Sequence, residues 1–178
     1  VLVDALNELG AKITYLETDG CPPLKIVGMT LTKNKVMLKA DVSSQYISAL
    51  LLIAPKLTNG LELTLEGDIT SLPYINMTLE LLKEIGVKTS FIGNVIKVQP
   101  QQLLSTSQTL TVESDWSSAS YFYSIVALSD IGTAITLSNY KKNSLQGDAV
   151  LSQIYEDFGV HTIFAENSIT LSKSAPVV

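Results

Sequence analysis

The 178-residue sequence contains no arginine: all twelve basic residues are lysines, against seventeen acidic residues and a net charge of −5. Binding to a nucleic-acid backbone normally requires a basic patch, so this composition disfavours nucleic-acid partners. Arginine is also the residue that commonly binds carboxylates and phosphates through its planar fork of donors. If the protein binds such ligands, we expect key cations of the site to come from elsewhere.

Cysteine and histidine each occur once, as Cys21 and His161. A single cysteine excludes a disulfide within the chain and a metal cluster built on cysteine. Cys21 precedes two prolines and has no histidine near it in sequence, so we interpret it as structural rather than catalytic. A lone cysteine fits a reducing compartment, and we expect a cytoplasmic protein.

Long apolar runs are absent. The longest, Ala49–Pro55, is far shorter than the roughly 20 residues of a membrane-spanning helix. No basic start followed by an apolar stretch and a cleavage site is present, so we predict neither a signal peptide nor a membrane protein. Hydrophobic residues make up 46% of the sequence and charged residues 16%, which argues for a folded core rather than disorder.

The sequence repeats itself. The motif Asp41-Val42-Ser43-Ser44 returns as Asp115-Trp116-Ser117-Ser118, and the pattern of Gly86–Phe91 returns at Gly159–Phe164. Such self-similarity indicates one structural unit, here of about 70 residues, that is used again. The opening residues match the rear of this unit, so we predict that the sequence begins within an earlier copy.

Each copy has the pattern βαβαββ. In the first copy we predict strand Lys35–Ala40, helix Ser43–Ala54, strand Leu61–Glu66, helix Pro73–Ile85, and strands Lys88–Phe91 and Val95–Val98. In the second copy we predict strand Thr109–Glu113, helix Ser117–Leu128, strand Thr133–Ser138, helix Asp148–Phe158, and strands Val160–Phe164 and Ser168–Ser172. The spacing of Ile75, Leu79 and Leu82 is helical, and Gly86 is a typical stop residue. The helices that follow the Ser-Ser pairs are apolar nearly all round, which predicts burial in the middle of a domain.

The first Ser-Ser pair, with Gln45 beside it, lies at the start of an apolar helix. Such a start exposes unpaired backbone N–H groups and the positive end of the helix dipole, which suits an anion such as phosphate. Serine and aspartate are also favoured simply as helix caps. The motif alone leaves both interpretations open.

Four segments carry a resemblance to a known family. They are Ser43–Leu51, Ser71–Leu79, Asp115–Phe122 and Asn143–Asp148. In this order and spacing they resemble the 5-enolpyruvylshikimate-3-phosphate synthase family. The opening Leu2–Tyr15 fits the same family, so the resemblance covers essentially the whole sequence.

The resemblance implies an α/β (α+β) fold of two lobes, each built from three βαβαββ units with buried helices and outward sheets, an inside-out α/β barrel. This sequence would then be an incomplete, central piece. Residues 1–112 would form the rear part of the first lobe, a half unit and one full unit, and residues 113–178 one unit of the second. Gln101–Ser107 would be the crossover between the lobes.

The resemblance also implies a reaction, in which the enolpyruvyl group of phosphoenolpyruvate moves to the 5-hydroxyl of shikimate 3-phosphate and phosphate leaves. No metal or organic cofactor takes part. The step belongs to the shikimate pathway, leads to chorismate and the aromatic amino acids, and is the target of glyphosate. The family's proton-transfer groups and cationic clamp fall outside this sequence, so we expect no catalytic residue here and no activity of this piece alone. We expect a monomeric full-length enzyme and a piece that self-associates.

Five residues match substrate-binding positions of the family. Ser43 and Ser44 correspond to residues that hold the 3-phosphate, and Gln45 to an amide that reaches both the shikimate ring and phosphoenolpyruvate. Ser71 corresponds to another phosphate-binding serine, and Tyr74 to a phenol that contacts the bound shikimate phosphate. Short hydroxyl donors can surround a phosphate without burying an opposite charge.

The second Ser-Ser pair lacks the amide, because Ala119 stands in place of Gln45. We therefore predict that Ser117 and Ser118 are mainly structural. Asp115, close to the predicted junction between the lobes, is expected to cap its helix or remain solvated.

Two alternatives stay open. A relative that transfers enolpyruvyl to UDP-N-acetylglucosamine shares the architecture, although its motifs are not recognisable here. A non-catalytic repeat scaffold or binding module would also explain the missing arginine and acid–base groups.

Overall fold

The computed structural model describes residues 1–101 and 109–176. The chain divides into two compact units, residues 1–108 (unit 1) and residues 109–178 (unit 2). Apart from Gln101, the predicted crossover Gln101–Ser107 lies outside the described residues. Within the two described ranges, no helix has both the length and the apolar character needed to cross a bilayer.

Unit 1 combines a small hairpin with a larger sheet. Its elements are α1 (Leu2–Glu8), β1 (Lys12–Tyr15), β2 (Leu24–Val27), β3 (Lys35–Lys39), α2 (Ser44–Ile53), β4 (Leu61–Glu66), α3 (Leu72–Glu84), β5 (Thr89–Ile92) and β6 (Val95–Val98). Strands β1 and β2 pair antiparallel, and the other four form a sheet in the order β3-β4-β6-β5. β3 and β4 are parallel, whereas β6 runs antiparallel to both of its neighbours. From β3 to β6 the predicted βαβαββ order is confirmed.

The core of unit 1 lies where α2 and α3 pack on the sheet. On β4, Leu61, Leu63 and Leu65 are buried and the residues between them lie on the other face, as the alternation of a strand requires. Ile75, Leu79 and Leu82 of α3 are all at most 4% exposed, which confirms their predicted helical spacing. Burying each such side chain contributes about 1.5–3 kcal/mol, so this stripe holds α3 against the sheet.

The prediction that α2 is buried nearly all round is wrong for the described structure. Ile47, Leu50 and Leu51 are fully buried, but Leu52 and Ile53, at the end of the same helix, are 58% and 39% exposed. Within the described part of unit 1, α2 packs against the sheet on one side and α3 on another. Because α2 is covered on only two sides, the rest of its surface is exposed to solvent, although apolar residues such as Leu52 lie there.

Unit 2 repeats part of this plan. Its elements are α4 (Trp116–Ala127), β7 (Ala134–Ser138), α5 (Leu151–Ile154), β8 (Val160–Phe164) and β9 (Ser168–Lys173). The sheet has the order β7-β9-β8 with both pairings antiparallel. One face of α4 packs on it, with Trp116 and Tyr123 fully buried. The opposite face of α4 is exposed, so full burial was wrongly predicted for this helix as well.

The predicted strand Thr109–Glu113 is not a strand in the structure. Leu110 and Val112 are 51% and 85% exposed, whereas Val36 and Leu38 of the corresponding β3 are 3% and 7% exposed. A strand that adds no buried apolar surface is marginal, because edge pairing alone gives little net stability. The end of the segment is held by the hydrogen bonds of the Glu113 carboxylate, and the next residue, Ser114, hydrogen-bonds to the end of β7.

The predicted helix Asp148–Phe158 is broken. A 3₁₀ turn covers Gly147–Val150, α5 covers Leu151–Ile154, and turns follow up to Gly159. Several of its backbone bonds span three residues, as in a 3₁₀ helix, and the hydroxyl of Ser152 donates to the carbonyl of Ala149. Such local bonds compete with regular helical ones, so the apolar spacing did not produce a continuous helix.

Candidate functional site

Two helix starts lie at the same edge of the sheet in unit 1. β3 and β4 are parallel neighbours with Lys39 opposite Glu66, and the Ala40 N–H donates to the Glu66 carbonyl over 2.8 Å. Each strand leads through a short loop into a helix, β3 into α2 and β4 into α3. Because the carboxyl ends of parallel strands meet at one edge, the amino ends of both helices lie there together.

The two helices are also parallel and level. β5 runs in the same direction as β4, since both are antiparallel to β6, so α2 and α3 return across the sheet in the same direction. Ser48 of α2 hydrogen-bonds to Thr78 of α3, with 2.9 Å between the two hydroxyl oxygens. Ser48 is four residues from the first residue of α2, and Thr78 six from the first of α3. At about 1.5 Å of rise per residue, the two starts are offset by only about 3 Å along the helix axes.

The start of α2 has the features of an anion-binding helix end. Ser43 is the N-cap, and its hydroxyl accepts a long hydrogen bond of 3.4 Å from the Gln45 N–H. Ser43 and Gln45 are exposed and Ser44 is half-buried. The first turn contains no acidic side chain that would repel an anion. Backbone N–H groups, two hydroxyls and one amide are therefore available together at the positive end of the helix dipole.

The start of α3 adds a second set of groups. Ser71 is the N-cap, and its side chain forms no capping hydrogen bond within the described residues. Pro73 lies in the first turn, which lacks acidic residues, and Tyr74 follows it with 42% of its surface exposed. The structure thus brings the elements that carry all five predicted site residues to one sheet edge.

The second Ser-Ser pair is bonded to the protein's own carboxylates. Asp115 is the N-cap of α4 and accepts hydrogen bonds of 2.9 Å from the Ser117 N–H and from the Ser118 hydroxyl. The Ser117 hydroxyl donates to Asp148, and Ala119 is fully buried. The predicted capping role of Asp115 is confirmed.

These bonds have an electrostatic consequence. The hydrogen bond from the Ser118 hydroxyl, followed by that from the Ser117 N–H, lowers the pKa of Asp115. The carboxylate is therefore favoured in its charged form at the start of α4, where a bound anion would be repelled. The first turn of α2 contains no such carboxylate, whereas α4 is capped by one.

Gln146 and Glu113 fix the chain around α4. The sequence alone does not single out Gln146, whereas Glu113, near the predicted junction between the lobes, is expected from the sequence to cap a helix or remain solvated. The Gln146 side chain accepts from the Trp116 N–H and donates to the Ser114 carbonyl, both over 2.9 Å. The Glu113 carboxylate accepts from the Trp116 indole at 2.9 Å and from the Ser144 hydroxyl at 2.8 Å. These contacts make Glu113 and Gln146 structural anchors. Three of these four contacts join residues about 30 positions apart in sequence, so no local pattern could reveal them; only the Trp116 indole lies close to its partner, three residues from Glu113.

One cavity lined by described residues lies elsewhere. It has a volume of about 720 Å³ and is lined by residues that include Gly86, Lys88, Thr89 and Gln101. These residues follow the carboxyl end of α3, whose 13 residues span about 20 Å. Since that end carries the negative pole of the helix, we place the candidate site at the opposite, amino end, on chemistry rather than on volume.

Comparison with known proteins identifies the family of this chain. A protein-family model described as "EPSP synthase (3-phosphoshikimate 1-carboxyvinyltransferase)" matches residues 1–177. A 3-phosphoshikimate 1-carboxyvinyltransferase of Bacteroides fragilis is 47% identical over 179 residues, which is 100% of this chain and 43% of the relative. One of Sulfurovum sp. is 35% identical, over 97% of this chain and 40% of the relative. The chain thus spans less than half the length of these relatives.

A solved structure gives the same fold. EPSP synthase from Acinetobacter baumannii superposes with a TM-score of 0.69 at 21% identity, over 97% of this chain and 39% of that one. At this identity the likeness concerns the fold alone. The family model covers nearly every residue and two relatives exceed 30% identity over almost the whole sequence. The chain therefore belongs to the EPSP synthase family.

Proposed function

We propose that the protein containing this chain transfers the enolpyruvyl group of phosphoenolpyruvate to the 5-hydroxyl of shikimate 3-phosphate. Membership of the family supports this reaction, and so does the name 3-phosphoshikimate 1-carboxyvinyltransferase that its relatives carry. The part of the site contributed by this chain is a binding pocket for the phosphorylated substrate. The protein is proposed to act in the cytoplasm as a monomer.

The observation that carries the proposal is the pair of level helix starts at one sheet edge. Two parallel helices direct their positive ends at the same region, and serines stand at both caps. A phosphate there can accept hydrogen bonds from backbone N–H groups and hydroxyls at once, and the dipoles of both helices favour its charge. No acidic side chain lies in either first turn to oppose this.

Each of the five residues then has a defined role. Ser43 and Ser44 donate to the 3-phosphate from the start of α2, and Ser71 donates from the cap of α3. Tyr74, exposed in the first turn of α3, offers its phenol to the same phosphate. Gln45 points its amide from the start of α2 towards the shikimate ring and phosphoenolpyruvate, where one donor and one acceptor can orient two substrates.

The chemical step needs groups beyond these. The 5-hydroxyl adds to the double bond of phosphoenolpyruvate, the methylene carbon takes a proton, and phosphate leaves. Hydroxyls and an amide can bind and orient the substrates, but they do not supply the proton transfers, which typically contribute about 10²–10⁴-fold. We therefore propose that this chain alone binds shikimate 3-phosphate but does not catalyse the transfer.

We also propose that a lobe boundary lies near residue 112 and that the isolated chain self-associates.

Substrate titration tests the proposal. In two-dimensional NMR spectra of the 178-residue protein, shikimate 3-phosphate is expected to shift the amides of Ser43–Gln45 and Ser71–Tyr74. Replacing Ser43 and Ser44 together by alanine removes hydrogen bonds to a charged group, worth about 1.5–3 kcal/mol, so binding should weaken at least about tenfold. UDP-N-acetylglucosamine should leave the same amides unshifted.

The second repeat supplies the matched control. Replacing Ser117 and Ser118 by alanine changes the equivalent positions of unit 2 and should leave the affinity unaltered. Equal weakening by both double variants, or amide shifts confined to unit 2, would contradict the proposed pocket. Shifts caused by the UDP-sugar and not by shikimate 3-phosphate would indicate a different acceptor substrate.

A further inference from the structure

A chain of two hydroxyls connects α2 to the first turn of α3. The Ser48 and Thr78 oxygens are 2.9 Å apart, and the Thr78 hydroxyl donates to the backbone carbonyl of Tyr74 over 2.9 Å. Thr78 is only 5% exposed, and Ser48 is half-buried. The connection therefore runs from a half-buried hydroxyl of α2 to a buried hydroxyl of α3.

The direction of these bonds follows from counting protons. A hydroxyl group has one hydrogen to donate, and that of Thr78 is used on the Tyr74 carbonyl. The Thr78 oxygen must then act as acceptor towards α2, so Ser48 is the donor. The order is Ser48 to Thr78 to the Tyr74 carbonyl, and every hydrogen of the two hydroxyls has a partner.

This order gives the helix pair a fixed register. Apolar contacts between helices have no direction, and similar burial is possible after a small slide of one helix along the other. The hydrogen bond is lost after such a slide, because it requires the two oxygens to stay within about 3 Å. The net free energy of that hydrogen bond therefore favours the bonded register.

We propose that Ser48 and Thr78 are positioning residues that set the separation of the two halves of the phosphate pocket. This inference rests on the proposed function. The bond holds the starts of α2 and α3 level to within about 3 Å, and so fixes Ser43 and Ser44 relative to Ser71. Neither residue touches the substrate. They act through the helices, and Thr78 acts directly on the turn that carries Tyr74.

The test compares affinity with stability in the 178-residue protein. Ser48→Ala and Thr78→Val each remove the hydroxyl bridge, and each should weaken shikimate 3-phosphate binding in the NMR titration. The loss should reach at most about fivefold, because the free energy of one ordinary hydrogen bond limits the effect of the bridge. Thr78→Ser keeps both hydrogen bonds and should retain wild-type affinity. The double variant Ser48→Ala/Thr78→Val should bind no more weakly than Thr78→Val alone, because that single variant already removes both hydrogen bonds.

Ser124→Ala is the control for loss of stability alone. Ser124 of α4 donates to the Ser120 carbonyl over 2.9 Å and pairs with the Tyr155 hydroxyl at 2.8 Å, so it resembles Thr78 in chemistry but lies in unit 2. Its replacement should lower the melting temperature without changing the affinity for shikimate 3-phosphate.

Two outcomes would overturn the inference in different ways. If the wild-type protein binds shikimate 3-phosphate and Ser48→Ala binds it equally well, the positioning role is wrong while the proposed function stands. If the wild-type protein does not bind this ligand at any concentration reached, the pocket and the positioning role both fall. An affinity lost in Thr78→Val and not restored in Thr78→Ser would show that packing, and not the hydroxyl, sets the site.

Discussion

The carboxylate of Asp115 caps helix α4, and its removal should lower the free energy of unfolding of unit 2. It accepts hydrogen bonds of 2.9 Å from the Ser117 N–H and the Ser118 hydroxyl. Replacing an aspartate N-cap by alanine typically costs about 1 kcal/mol of stability. The charge adds little to this figure, because the residue is exposed and solvent screens its attraction to the helix dipole. We expect Asp115→Ala to lower the free energy of unfolding of unit 2 by about 1 kcal/mol.

The chain contains its own reporter for this measurement. Trp116 is the single tryptophan, it lies in unit 2, and it is fully buried. Urea denaturation followed by tryptophan fluorescence therefore reads the unfolding of unit 2. Asp41→Ala is the matched control, since Asp41 occupies the same repeat position but lies two residues before Ser43, the N-cap of α2. Unchanged stability in Asp115→Ala, or an equal loss in Asp41→Ala, would refute the capping argument.

The pH dependence provides a second readout. The pKa of Asp115 lies below its ordinary value of 3.8, because first Ser118 and then Ser117 donate to the charged carboxylate. A lowered folded-state pKa contributes stability that is present above 3.8 and is lost as pH falls through the folded-state pKa. Asp115→Asn retains an acceptor oxygen but not the charge. The gap in unfolding free energy between wild type and Asp115→Asn should be constant from neutral pH to about pH 5 and narrow below about pH 4.

Three further changes test the packing of the two units. Tyr123→Phe should leave the buried Thr162 hydroxyl without its 2.8 Å partner and destabilise unit 2 by about 1–3 kcal/mol, measured by the same urea denaturation with tryptophan fluorescence. In the wild-type protein, Tyr123 should titrate at higher pH than free tyrosine in ultraviolet difference spectra, because burial raises its pKa. Gly159→Ala should destabilise unit 2 by more than about 1 kcal/mol, because Gly159 has a φ of +72° and a new Cβ would collide with the Ala175 carbonyl. An alanine variant with wild-type stability would contradict this prediction. Ile96→Ala should lower the free energy of unfolding of unit 1 by about 2–5 kcal/mol, since the side chain is fully buried on β6. Thermal or urea unfolding followed by circular dichroism measures this loss. A loss below about 1 kcal/mol would show that the core collapses around the gap.

Local signals in the sequence were sufficient for most of unit 1. β4 and β6 have the predicted bounds, and α3, predicted as Pro73–Ile85, covers Leu72–Glu84. Their determinants are short-range: strict alternation on β4, helical spacing on α3, and the hairpin turn at Gly93. In each case the pattern in the sequence matches the face that is buried in the structure, so the sequence alone was enough to predict these elements.

Unit 2 shows where such signals fail. The apolar spacing of Leu151, Tyr155 and Phe158 suggested a regular helix, but the Tyr155 ring instead packs tilted against those of Tyr123 and Phe158, at centroid distances of 5.0 and 5.4 Å. The segment before α4 has the alternation of a strand, yet its apolar side chains have no buried surface to join. In both cases tertiary contacts, or their lack, override the local preference.

The candidate site was only partly visible in the sequence. The five residues followed from family resemblance, and their binding roles stay predictions. Sequence reasoning missed Ser48 and Thr78, although a serine within the otherwise apolar α2 is an available hint. Thirty residues separate the two, and only the parallel packing of α2 and α3 reveals that their hydroxyls meet.

One difference between the repeats accompanies the different hydrogen bonding of the two Ser-Ser motifs. Val42 of the first copy is half-buried and precedes the helix, so Ser43 becomes the cap and its hydroxyl lies at the helix end. Its counterpart Trp116 is fully buried and forms the first residue of α4, which moves the cap two positions back to Asp115. The serines of the second copy then lie inside the first turn and donate to carboxylates of their own unit. The cap therefore lies two positions earlier in the second copy, and the site proposed at the start of α2 has no equivalent at the start of α4.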